Sequence, residues 1–117
     1  MIYDSFCSIL GISDRGLGFL RSLHNLQAMT LSHNHVTDQG IRRLFSSPAF
    51  SNSLKELRMD HCKLITDQAI EIVLEHCKTL EIFIFHGCEQ TTIRSLDTLG
   101  NFLSTRTSVM KQITFVI

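Results

Sequence analysis

Net charge is the first thing this chain lacks: eleven basic and eleven acidic residues cancel. The balance removes the electrostatic footprint that a binder of nucleic acid or of an anionic membrane surface needs. Long apolar runs are missing too, since none approaches the ~20 residues that cross a bilayer. The opening Met1-Ile2-Tyr3-Asp4 has an acid where a secretory signal carries lysine or arginine, and no cleavage motif follows. The four cysteines, Cys7, Cys62, Cys77 and Cys88, form no Cys-x-x-Cys pair. Together these absences predict a reducing compartment, cytoplasm or nucleus. The six glycines compose no phosphate-binding motif. At 117 residues there is room for one domain with one continuous core.

What is present is repetition. Ile12-Ser13-Asp14-Arg15-Gly16-Leu17, Val36-Thr37-Asp38-Gln39-Gly40-Ile41 and Ile65-Thr66-Asp67-Gln68-Ala69-Ile70 are one phrase written three times, with aspartates 24 and 29 residues apart. Between them runs a second phrase, apolar-x-x-apolar-x-apolar-x-x-Asn/Cys. It fits Leu26, Met29, Leu31, Asn34, then Leu54, Leu57, Met59, Cys62, then Leu80, Phe83, Phe85, Cys88. A shortened copy follows at Met110, Ile113 and Phe115, and Ile2 to Cys7 is a weaker first copy in which Ser5 falls on an apolar position. A period of this size is that of a leucine-rich repeat, with about four and a half repeats in residues 1–117.

Each copy predicts a strand, near 2–7, 26–31, 54–59, 80–85 and 110–115. The period of two in Leu57-Arg58-Met59 and Phe83-Ile84-Phe85 turns Leu57, Met59, Phe83 and Phe85 inward together. Asn34, Cys62 and Cys88 then occupy the bend, where a buried side chain must donate to turn carbonyls. Helices follow. Thr37-Asp38 and Thr66-Asp67 supply N-cap oxygens, and Asp14, Asp38 and Asp67 each start a helix and cap it. Apolar stripes at Ile41, Leu44, Phe45, at Ile70, Val73, Leu74, and at Leu96, Leu99, Leu103 face the strands. Pro48, within the polar run 46–53, ends the second helix. Strand, helix, strand is a parallel crossover, so the expected fold is α/β: a right-handed, ribonuclease-inhibitor-like solenoid with strands on the concave face and helices on the convex face. In the last copy Ile93 stands where Asp67 stood, which predicts a weaker cap there.

Histidine neighbours cysteine at His61-Cys62, His76-Cys77 and His86-x-Cys88, which raises zinc and a Cys-His nucleophile as candidates. In register, Cys62 and Cys88 stack inward while His61 and His86 fall on different columns, so sharing an ion would dismantle the bend. An inward cysteine is the reverse of an exposed, low-pKa thiolate. No metal, cofactor or catalysis is expected.

The informative surface is the inner wall. Its outward positions are Ala28, Thr30, Ser32, then Glu56, Arg58, Asp60, then Ile82, Ile84, His86, then Gln112, Thr114, Val116. The strand at 80–85 is therefore apolar on both faces, and Ile82 and Ile84 lie beside a charged group. Apolar surface next to charge marks an interface. A protein-binding site at Glu56, Arg58, Asp60, Ile82, Ile84 and His86 is expected. Met110 to Ile117 closes the array with an apolar edge strand, which a partner or a second copy would cover.

The form Ile-Thr-Asp-x-x-Ile, with Cys62 and Cys88 at strand ends and Cys77 after a helix, resembles the cysteine-containing leucine-rich repeats of F-box proteins. Leu57-x-Met59-x-His61-Cys62, Ile84-Phe85-His86-Gly87-Cys88 and Lys111-Gln112-Ile113-Thr114-Phe115 are more similar still to the antagonist of mitotic exit network family, over roughly Leu26 to Ile117. That resemblance implies further repeats upstream, a natural terminus at Ile117, and a Met1 that opens a short isoform or fragment. It implies a role in cell-cycle control, through a small GTPase of the mitotic exit pathway or as substrate receptor of a cullin-based ubiquitin ligase. No F-box segment lies within these 117 residues.

Overall fold

Alternation of apolar with polar or small side chains suits a half-buried pleat, and aromatic and β-branched residues favour it further. In a computed structural model describing residues 6–21, 23, 25–92, 94, 100 and 112–116 (backbone alone for 6–10 and 112–116), these segments are strands. They are β1 Phe6–Leu10, β2 Ala28–Ser32, β3 Glu56–Asp60, β4 Ile82–His86 and β5 Gln112–Val116. All four pairings are parallel, and the order across the sheet is the order in the chain. Met29, Leu57, Phe83 and Ile113 share one rung column; Leu31, Met59, Phe85 and Phe115 share another.

Each strand begins two residues later than the apolar phrase suggests. Leu26, Leu54 and Leu80 are buried in the approach to the strand, where the chain is still turning. There the Gln27 carbonyl accepts from both Lys55 and Glu56, and the Lys55 carbonyl accepts from both Glu81 and Ile82. The first strand departs further. It occupies 6–10 rather than 2–7, and Cys7 and Ile9 stand opposite Met29 and Leu31. The Ile2-Ser5-Cys7 frame was the wrong one; residues 2–5 lie outside the described residues.

Helices α1 Asp14–Leu17, α2 Asp38–Phe45 and α4 Asp67–His76 follow their strands, and α2 packs against both of the others. Ile41, Leu44, Phe45, Ile70, Val73 and Leu74 share one buried cluster with Met29, Leu31, Leu57, Met59, Phe83 and Phe85, so the helices cover a single face of the sheet. The Leu96, Leu99 and Leu103 stripe lies outside the described residues. α2 stops at Phe45, where the run 46–53 begins as expected, and Pro48 in addition opens a short helix, α3 Pro48–Ser51. The fixed φ of proline suits a first helical position. The turn drives Phe50 into the core edge-on to Phe45, with ring centroids 5.3 Å apart.

The three aspartates do not cap their own helices. Thr37 and Thr66 are the caps, with hydroxyls accepting from the Gly40 and Gln68 amides. Each carboxylate reaches forward to the next unit's threonine. Asp14 accepts from the Thr37 amide at 2.7 Å and its hydroxyl at 2.5 Å, and Asp38 does the same for Thr66 at 2.8 and 2.5 Å. Asp67 takes both donors of Thr92, whose own hydroxyl accepts from the Arg94 amide. Thr92 thus keeps the threonine half of the device although Ile93 has replaced the aspartate.

Candidate functional site

Side chains of a strand alternate across the sheet, so every residue not committed to the helix-covered core lines the opposite wall. Register makes that wall a grid. Ala28, Glu56 and Ile82 form one column, Thr30, Arg58 and Ile84 the next, and Ser32, Asp60 and His86 the third; in backbone register Gln112, Thr114 and Val116 stand opposite Ile82, Ile84 and His86. The six expected site residues are therefore two adjacent rows of this grid, with Arg58 directly beside Ile84. Arg58 and His86 are exposed, whereas Glu56, Asp60, Ile82 and Ile84 are half-buried. A guanidinium next to two branched aliphatic side chains can take an acidic group and an apolar anchor at once.

Behind the third column the chain bends into each helix. Gly11, His33, His61 and Gly87 occupy the same place in successive units, all with positive φ (73°, 47°, 53° and 67°). The turn requires the left-handed region at this point, which glycine enters freely and histidine less so. His33 and His61 stack, with ring centroids 4.6 Å apart and planes 20° from parallel. His86 meets His61 edge-on at 5.2 Å. Neighbouring columns thus touch. Among the described residues, however, no three histidines, cysteines or acids are placed to share a metal ion.

Gly87 lies against this stack. A β-carbon there would fall 2.5 Å from Nδ1 of His61, in a backbone region already unfavourable to a side chain. Gly87→Ala is expected to cost about 1–2 kcal/mol in a urea melt from backbone conformation alone, and to displace the His61 ring. Loss of the upfield ring-stacking shift between His33 and His61 in proton NMR would report the displacement. An unchanged spectrum would remove the contact.

One step deeper, Asn34, Cys62 and Cys88 are buried. The cysteines donate to turn carbonyls as the bend demands: Cys62 to Leu31 and Asp60, both at 3.7 Å, and Cys88 to Met59 at 3.6 Å and His86 at 3.8 Å. Asn34 works differently. Its Nδ2 donates to the Cys62 sulfur at 3.2 Å and its Oδ1 accepts from the Val36 amide at 3.1 Å. Hydrogen bonding to the Cys88 sulfur, reinforced by burial, pushes the Cys62 thiol pKa upward, while the same hydrogen bond pulls the Cys88 thiol downward. Cys77 is likewise buried and donates to the Leu54 carbonyl at 3.5 Å. No helix among the described residues is long and apolar enough to cross a membrane.

Sequence inspection placed the wall but overlooked the histidine column. Its signal was readable: one residue before each bend residue Asn34, Cys62 or Cys88 stands His33, His61 or Gly87, and Gly11 precedes Ile12 in the same way. Two glycines in a four-member column mark a left-handed position. A search against protein-family models finds none that matches the chain.

Proposed function

We propose that this chain is a run of leucine-rich repeats, a right-handed solenoid, whose concave wall holds a protein partner and performs no catalysis. One observation carries the reading. Strand β4 is apolar on both faces, Phe83 and Phe85 filling the core while Ile82 and Ile84 stand on the open wall beside Arg58. A wall that met only water would have no use for the second pair. Partly exposed apolar surface set against charge is the pattern of an interface centre with its polar rim. Glu56, Arg58, Asp60, Ile82, Ile84 and His86 form the contact. By the resemblance to F-box and mitotic-exit proteins, the partner is a small GTPase or a ubiquitin-ligase component or substrate, met in the cytoplasm or nucleus. Self-association through β5 is the competing use of the array.

The test is a double reversal on one rung. Arg58→Glu with Ile84→Asp is expected to abolish affinity capture of the partner, with the helical circular-dichroism signal intact. Capture at wild-type level by the double mutant ends the concave-wall reading. A second reading, a fragment that only completes a longer array, predicts aggregation or loose melting of residues 1–117 in isolation; a sharp melt and a monomeric sizing profile would overturn it.

A further inference from the structure

His33, Asn34, His35, His61 and Lys63 line a cleft of about 110 Å³ at the carboxyl ends of β2 and β3. Ligand pockets for whole cofactors or metabolites run to about 300–1,000 Å³, so this one admits a single small group. The lining holds one permanent cation, three imidazoles and an amide, and no carboxylate. Two of those imidazoles, His33 and His61, occupy left-handed positions at which the flanking units carry Gly11 and Gly87. A backbone site that favours glycine has instead been given two rings stacked at 4.6 Å. Side chains held in sparsely populated backbone regions cluster at functional sites.

From this placement we propose that the cleft is an anion site for a phosphoryl group, held by Lys63 as a fixed charge and by the His33, His35 and His61 rings as donors. Lysine takes phosphate as a point charge, and a donor or acceptor that is ionised makes the stronger hydrogen bond. A bound dianion also offsets the repulsion that two protonated, stacked imidazoles would otherwise suffer. Asp60, the residue before His61, and Glu89, which follows Cys88 as Lys63 follows Cys62, are acids on this edge and oppose the site. His86, edge-on to His61, adds a further imidazole. The cleft adjoins the Ser32, Asp60, His86 column of the wall, so a phosphorylated partner segment crossing that column can deliver the group. Only this source rests on the interface reading; the ion site itself does not.

Histidine ring resonances titrated with inorganic phosphate and with O-phosphoserine, at about pH 6 and about pH 8, test the site. His33 and His61 are expected to shift saturably with a millimolar dissociation constant. His76, whose ring is tied to the Ile72 carbonyl, serves as internal control and stays still. The His33→Gly, His61→Gly double variant is expected to lose binding by about tenfold or more without a fall in Tm, because glycine suits both backbone positions. Lys63→Gln weakens binding at both pH values. Saturable shifts with phosphoserine support delivery by a partner segment, and shifts with inorganic phosphate alone support a free-anion site. No shift with either probe overturns the proposal, as does equal movement of His76 or unchanged binding by the double glycine variant. Phosphate binding that survives Arg58→Glu with Ile84→Asp shows that the two surfaces stand or fall separately.

Discussion

Phe83→Ala is expected to be the most damaging single substitution in the described part of the chain. Phe83 is fully buried, in the strand between β3 and β5, with its ring 5.2 Å from that of Phe85. Truncating a core phenylalanine removes its transfer free energy and leaves a cavity, together about 3–5 kcal/mol. Domains have only about 5–15 kcal/mol to lose. A urea titration followed by circular dichroism should show the midpoint collapse. Ile84→Ala, one residue on and facing the open wall, should cost about 1 kcal/mol or less, since a half-buried side chain leaves no sealed void. The pair tests the register itself: a one-residue slip exchanges the two faces, and the effects of Phe83 and Ile84 would then be reversed.

Asp38→Ala is the second large effect, because the carboxylate joins two units. It removes the acceptor of both the amide and the hydroxyl of Thr66. Hydrogen bonds to a charged group contribute about 1.5–3 kcal/mol each; with water able to replace part of this at a half-exposed site, the loss should be about 2–3 kcal/mol. Were Asp38 merely a favourable charge at its own helix N-terminus, the loss would be about 0.3–1 kcal/mol. A double-mutant cycle with Thr66→Val separates the two accounts. Partners in contact show a coupling energy of about 0.5–3 kcal/mol, whereas independent sites add. Additivity would remove the link between units.

Strand and helix alternation was legible because two periods, 2.0 and 3.6, leave different marks on the same chain. Leu57, Met59, Phe83 and Phe85 fell inward, and Ile41, Leu44, Ile70 and Val73 met them, as the periods required. The first strand was misplaced because one apolar frame, through Ile2 and Cys7, competed with another through Cys7 and Ile9, and only pairing with β2 decides between them. Phe50 was hidden by its setting: a polar run around Pro48 looks like a loop, and nothing local says that its aromatic ring completes the core. The aspartates were assigned to the right elements with the wrong partners. Propensity identifies an acid near a helix start, but it is blind to a threonine 23, 28 or 25 residues away. The candidate wall followed from strand alternation alone. The histidine column could be read from the residue before each bend position, but the stacking of its rings depends on backbone torsion, which a composition or period count does not see.

Those three separations have a consequence of their own. The carboxylate-to-threonine grip is the same in every pair although the intervening chain differs in length, and the longest interval contains the extra helix α3. Spacing along the array is therefore indexed by a polar clasp rather than by counting residues. Chain added on the helical side between one clasp and the next can grow or shrink while the ladder of strands keeps its step, which leaves the outer loops open to variation without re-tuning the sheet.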